Sequence, residues 1–180
     1  MSLVTDDIRA KATELHHGND ICIAQFQRLL KEVGLPNGLL PLRDVEECGY
    51  VEETGFVWMK QKKEIKHKFE KIGRQVIYAS EVTAYVERCK IKKLTGVKAK
   101  ELLVWLPLTE ISVDSPESDT IVFKSSTGLS RSFPTDAFVI EEAPVKEKIQ
   151  AEGGARGVEV ANVVREIEKY HQWITKSLVL

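Results

Sequence analysis

GFVWMKQKKEIKHKFEKIG, residues 55–73, decides how the chain is read. Apolar side chains alternate with polar ones on both sides of a QKKE centre, which is the period of a half-buried strand and not of a helix. Six lysines fall between Lys60 and Lys71. Read as a hairpin turning at residues 61–64, the stretch sets Lys60 opposite Ile65, Trp58 opposite His67 and Phe56 opposite Phe69 on one aromatic face. Val57 and Met59 then meet Lys66 and Lys68 on the other face, where lysine stems lie along apolar groups and the ammoniums stay in water. The turn holds neither Gly nor Asn, so a four-residue loop on a type I turn fits better than a primed turn. Most of the lysines follow from alternation alone, as the solvated side of a sheet.

The same period of two continues outward, from Glu46 to about Phe138. It predicts strands at 46–51, 55–61, 64–72, 74–79, 81–94, 101–113, 119–125 and 129–134, with Thr54-Gly55, Gly73, Asp114-Ser115-Pro116 and Thr127-Gly128 as punctuation. About eight short strands with tight turns imply a mainly β fold, a compact antiparallel barrel or sandwich. In LLVWLPLTEI both parities begin apolar, which predicts a strand covered on both faces with Pro107 at an edge or bulge.

Either side of the β region the pattern is helical. Thr5 caps a first helix whose opening turn carries Asp6 and Asp7. Gly18 interrupts it, and Ile21, Cys22, Phe26, Leu29, Leu30 and Val33 mark a second helix that ends at Gly34-Leu35-Pro36. Beyond Glu141 a linker with Pro144, Gly153, Gly154 and Gly157 leads to the stripe Val160, Val163, Val164, Ile167, Tyr170, His171, Ile174 and Leu178 of an amphipathic C-terminal helix, suited to docking or to homo-oligomer formation. The organisation expected is therefore a helical segment at 1–36, a barrel domain at 37–140, and a linker with helix at 141–180.

The net charge of −1 conceals blocks. Residues 60–100 hold 13 Lys/Arg against 4 Asp/Glu, a net of +9, while 1–59 and 101–180 each stand at −5. A segment of that sign points to an anionic ligand or membrane surface, or to pairing with the chain's own acids. Nucleic acid is not expected, since the sequence pI is about 6.5. Cys22, Cys48 and Cys89 are odd in number and far apart, which argues against a disulfide framework and for buried, reduced thiols. With acids in place of a basic, apolar leader at the start and no spanning segment, a cytoplasmic protein is expected.

Catalytic constellations are weak. GLSRSF (128–133) has Gly-x-Ser without the second glycine of a nucleophile elbow, so Ser130 lacks the strand–elbow–helix context. His67 reads best as a structural histidine in a sheet. His16-His17 and His171 fall on expected helices without metal-ligand companions, and no glycine-rich phosphate loop exists. No catalytic residue, metal or cofactor is expected.

Four blocks carry a family resemblance: GLPNGLLPL (34–42), VEECGYVEETGFVWMKQKKEIKHKFEKIG (45–73), KIKKLTGVKAKELLVWLPLTEI (90–111) and STGLSRSFPTDAF (126–138). In these the sequence resembles the plant family of domain of unknown function 538. The resemblance implies a plant origin and a compact antiparallel β-barrel with N-terminal helical elements. It implies no agreed activity: members have been likened to lipid-binding proteins of the bactericidal/permeability-increasing type, and hydrolase roles have been suggested. The tail after Ala143 lies outside it.

The function expected is a non-enzymatic binding module for a hydrophobic or anionic amphipathic ligand such as a lipid. Phe56, Trp58, His67 and Phe69 would face the ligand, and Lys60, Lys66, Lys68, Lys92 and Lys93 its anionic head. A protein–protein module using the basic face or the C-terminal helix is the alternative, and a hydrolase around His67, Cys89 or Ser130 the third reading.

Overall fold

A computed structural model describes residues 1–141 of the chain. They fall within a compact unit, Met1–Glu142. The expected linker and C-terminal helix lie outside the described residues. Thr5 caps α1 (Asp6–Ala10) as its residue type predicts, its hydroxyl accepting from the Ile8 N–H at 3.3 Å. The helix does not run on to Gly18. Residues of weak strand propensity form β1 (Glu14–His17) on the edge of β2 (Val45–Val51), so His16 and His17 are strand residues: pairing with a free edge overrides local preference. α2 (Asn19–Glu32) closes in a Schellman motif. Gly34 takes φ +83°, its N–H bonds Lys31 O at 3.0 Å, and the Leu35 N–H bonds Leu30 O at 2.8 Å.

The remaining strands are β3 (Phe56–Gln61), β4 (Ile65–Phe69), β5 (Arg74–Glu87), β6 (Lys90–Glu101), β7 (Val104–Val113), β8 (Thr120–Ser125) and β9 (Ser130–Pro134). All pair antiparallel in the order β1-β2-β3-β5-β6-β7-β8-β9, with β4 beside β5. β1 and β9 do not pair with each other, so the expected eight-stranded barrel is corrected to an open sheet of nine strands. Among the described residues no helix is long and apolar enough to cross a membrane.

The hairpin read from residues 55–73 is also corrected. β3 and β4 do not face each other. Both pair with β5, β3 along Glu81–Tyr85 and β4 along Arg74–Tyr78, so they lie end to end and residues 62–64 make a jog, not a reversal. The 14-residue β5 is long enough to receive both. Gln61, buried at the break, donates its amide to Tyr78 O and Ala79 O, each at 3.0 Å, and accepts the Arg43 N–H at 3.2 Å. The true reversal comes at Arg88-Cys89, inside the predicted strand 81–94. Cys89 takes φ +59°, with its N–H on Val33 O at 2.6 Å and its carbonyl accepting Val113 N–H at 3.0 Å. Tertiary hydrogen bonds hold a turn that carries no turn residue.

The sheet is covered on two faces. One buries Cys48, Val57 and Met59 against Cys22, Phe26 and Leu30 of α2, and continues through Tyr78, Val97, Leu108, Ile111 and Ile121 to Phe138. The other buries Phe56 and Trp58 with Val51 beneath Val4, Ile8 and Ala12 of the N-terminal segment. Asn37 exchanges two hydrogen bonds with Ile140, 3.0 and 2.8 Å, and the Gly38 N–H bonds Phe138 O at 2.8 Å, which fastens the end of the described chain under the core. The expected double cover of LLVWLPLTEI fails at its start: Leu102 and Leu103 are the two-residue turn between β6 and β7, 85% and 92% exposed.

Candidate functional site

One end of the sheet gathers the groups able to hold a ligand. Antiparallel register brings the start of β5, the end of β6 and the start of β7 together there, with the β8–β9 turn beside them. On the core side of this end lies a cavity of about 50 Å³, lined chiefly by apolar side chains that include Leu39, Tyr78, Leu108, Phe123 and Phe138. A cavity of that size admits a few waters or the end of a chain, not a whole ligand. Ile72, Leu106, Leu129, Arg74, Glu101 and Arg131 belong to its outer lining.

Strand alternation points Arg74, Glu101 and Arg131 to this side, in phase with Val76, Ala99 and Phe133. Arg131 donates to Glu101 Oε1 at 2.8 Å, and Arg74 reaches Glu101 Oε2 at 3.3 Å with its guanidinium 5.6 Å over the Phe133 ring. The hydrogen bond from Arg131, then the charge of Arg74, holds the Glu101 carboxyl below its ordinary range. Two cations against one carboxylate leave the apolar opening net positive.

The outer face of the same end is cationic too. Register aligns Lys66, Ile77, Lys98 and Pro107 across four strands, and Lys68 and Lys100 fall two residues on, on the same face. Lys66 Nζ stands 5.3 Å and Lys100 Nζ 5.9 Å from the Trp105 ring centroid.

The nine residues expected to bind ligand are not brought together. Phe56 and Trp58 are buried under the N-terminal segment, in contact with each other and, through Phe56, with Tyr85. Lys60 lies 3.3 Å from Glu81, which also accepts from Ser2 and, at 2.8 Å, from the Leu3 N–H. Lys92 pairs with Glu87 at 2.7 Å and Lys93 stands over Tyr85, both toward the far end of β5. Lys66, His67, Lys68 and Phe69 occupy β4, beside the cavity; His67 packs edge-on against Phe69 at 4.6 Å, and Phe69 lines the cavity. The face expected to carry Phe56, Trp58, His67 and Phe69 together is thus divided, because β3 and β4 meet different halves of β5.

Burial, then the nearby Arg43 charge, lowers the His67 pKa. No carboxylate or thiol hydrogen-bonds His67 among the described residues. Cys89 sits at the β5–β6 turn and His67 is paired near the opposite end of β5. Ser130 is exposed on β9. All three cysteines are free and buried, and no cluster of metal-ligating side chains occurs among the described residues.

Two carboxylates bind the N-terminal segment to the sheet. Burial alone would raise Glu47 and Glu81, but the Trp58 indole N–H (2.8 Å) and Arg9 hold Glu47 below its ordinary value, and Ser2, the Leu3 N–H and Lys60 do the same for Glu81. Their contribution to stability is complete above the ordinary value of 4.5 and is lost as pH falls through the lowered folded values. Melting between pH 7 and pH 3 should therefore show a fall in Tm that steepens below about pH 4.5, beyond any fall from His67 that begins below its ordinary value of 6.5. The paired substitution Glu47→Gln/Glu81→Gln is expected to shrink that fall; an unchanged profile counts against the assignment.

The fold and site define a class: an open antiparallel sheet with an apolar cluster on each face and a positively charged apolar opening at one end. A family model described as "Protein of unknown function, DUF538" matches residues 26–139, the second half of α2 and all of the sheet from β2 to β9. The chain belongs to that family. Neither the curated proteins nor the solved structures contained a match to the chain.

Proposed function

We propose that the protein is a non-enzymatic binding module for an anionic amphipathic ligand, held at the Arg74–Glu101–Arg131 end of the sheet. The observation that carries this reading is the pairing of an apolar opening with two guanidiniums that share a single carboxylate. Guanidiniums bind carboxylate or phosphate through parallel N–H donors, and an incoming anion competes with Glu101 for them. The apolar part of the ligand rests against Ile72, Leu106 and the 36%-exposed Leu129, with only its first carbons entering the 50 Å³ cavity. This replaces the ligand face expected around Trp58, of which Phe69 alone remains at the site.

Decanoate and decyl phosphate, titrated calorimetrically against the full chain, are expected to bind, and Arg74→Gln/Arg131→Gln to weaken both about tenfold with little change in melting temperature. Absence of binding by both amphiphiles, or equal affinity for the variant, overturns the reading.

A further inference from the structure

We propose that the β6–β7 hairpin tip is a membrane-docking wedge, inserting Leu102 and Leu103 into an anionic lipid surface while Lys66, Lys98 and Lys100 engage headgroups. Leu102 is 85% exposed, Leu103 92% and Val104 55%, a contiguous apolar group where a two-residue turn ordinarily carries Asn or Gly. Leu102 moreover sits at φ +53°, a conformation that leucine adopts only at a cost. Burial against other parts of the described domain does not account for either leucine.

The shape and charge of the tip select its occupant. A two-residue turn projects and forms no groove, so it has no pocket to receive a partner's side chain. A fluid, flat, deformable surface accepts such a projection without shape complementarity. Behind the leucines Trp105 is half-buried, an amphipathic ring of the type that settles at headgroup level. Lys66 and Lys100 flank that ring at 5.3 and 5.9 Å, and Lys98 shares their face. Arg74 and Arg131 border the opposite side of the same end. Cations around an apolar tip attract anionic lipid and repel a second copy presenting the same end. The proposal does not depend on the cavity holding a ligand, and its test leaves Arg74 and Arg131 untouched.

The full chain is sedimented with vesicles of phosphatidylcholine alone and of phosphatidylcholine mixed with phosphatidylserine, at low and high salt. Retention on the mixed vesicles, lost at high salt, is expected, with quenching by bromine-labelled lipid that Trp105→Phe removes. Leu102→Asn/Leu103→Ser should weaken retention about tenfold, from the apolar area withdrawn. It should leave the melting temperature unchanged or raised, because asparagine tolerates positive φ better than leucine. Lys66→Gln/Lys100→Gln should reduce the preference for mixed vesicles about tenfold. Absence of retention on mixed vesicles overturns the proposal, as does retention by Leu102→Asn/Leu103→Ser equal to that of the unaltered chain. Light scattering that shows a dimer abolished by the leucine variant, without vesicle binding, assigns the tip to self-association and likewise overturns it.

Discussion

Gly49→Ala is expected to destabilise the protein by about 3 kcal/mol or more, among the largest effects a single methyl can have. Gly49 lies on β2 directly beside Trp58 of β3, and the indole folds back across the neighbouring strand over its Cα. An added Cβ would meet Trp58 Cζ2 at 2.1 Å and Cη2 at 2.2 Å, far inside contact distance. The ring has nowhere to retreat. Trp58 is 1% exposed, lies under Val4 with Phe56 beside it, and is tethered by its N–H to Glu47 Oε1 at 2.8 Å. Moving it breaks that bond and lifts the N-terminal segment. Urea unfolding of Gly49→Ala, Trp58→Leu and the double variant checks the cause. Trp58→Leu alone should cost roughly 2–4 kcal/mol, and the double variant much less than the two costs added, since the clash vanishes with the ring. Strict additivity, or a Gly49→Ala midpoint near that of the unaltered chain, defeats the account.

Trp58 also shows which parts of the fold could be read in advance. Alternation placed β2, β3, β8 and β9 close to their observed bounds, because each is a single alternating run. It could not show that Gly49 exists to receive an indole, since the glycine belongs to a strand with no turn and no positive φ. The β5–β6 reversal escaped for a related cause. Arg88-Cys89 has no intrinsic turn preference and is held by carbonyl and amide partners on Val33 and Val113. β1 escaped because ELHH becomes a strand only against the β2 edge. The helix stop at Gly34, whose Schellman bonds are local, was legible in full.

The site was legible only in its ingredients. Arg74, Glu101 and Arg131 lie on three strands, and their meeting depends on register that no local pattern fixes. The lysine-rich segment was visible, but its division was not: Lys92 and Lys93 belong toward one end of β5 and β6, while Lys66, Lys68, Lys98 and Lys100 face outward toward the other. The doubly apolar start of LLVWLPLTEI carried a signal that admitted the wrong reading. Two apolar parities fit a strand buried on both faces and also a hairpin tip outside the sheet, and Leu102 at φ +53° decides for the second. The two strained turns of β6 thus lie apart: Leu102 at the end that holds Arg74 and Arg131, Cys89 at the opposite end.

Gln61→Leu is expected to cost about 3 kcal/mol, and its cause lies in the broken edge of β5. β4 begins opposite Tyr78, so Tyr78 O lies at the break, and Ala79 beyond it has no β3 or β4 residue opposite to donate a hydrogen bond. The Gln61 amide supplies it at 3.0 Å to each, and its oxygen takes the Arg43 N–H at 3.2 Å. Leucine fills similar space but leaves buried backbone groups unsatisfied, each worth roughly 1–3 kcal/mol. Gln61→Glu separates this from packing. An ionised carboxylate at the same place faces two carbonyl oxygens and has no proton to give, so burial and those dipoles raise its folded pKa. A raised folded pKa makes the associated stability fully present below the unfolded value and lost as pH rises through the folded one. Gln61→Glu should therefore lie closer to the unaltered chain at pH 5 than at pH 8, while Gln61→Leu shows no such dependence. Hydrogen exchange should place the weakening in the amides of β4 and of residues 62–64 before the rest of the sheet. If Gln61→Leu unfolds within about 0.5 kcal/mol of the unaltered chain, the break is bridged by something other than this side chain.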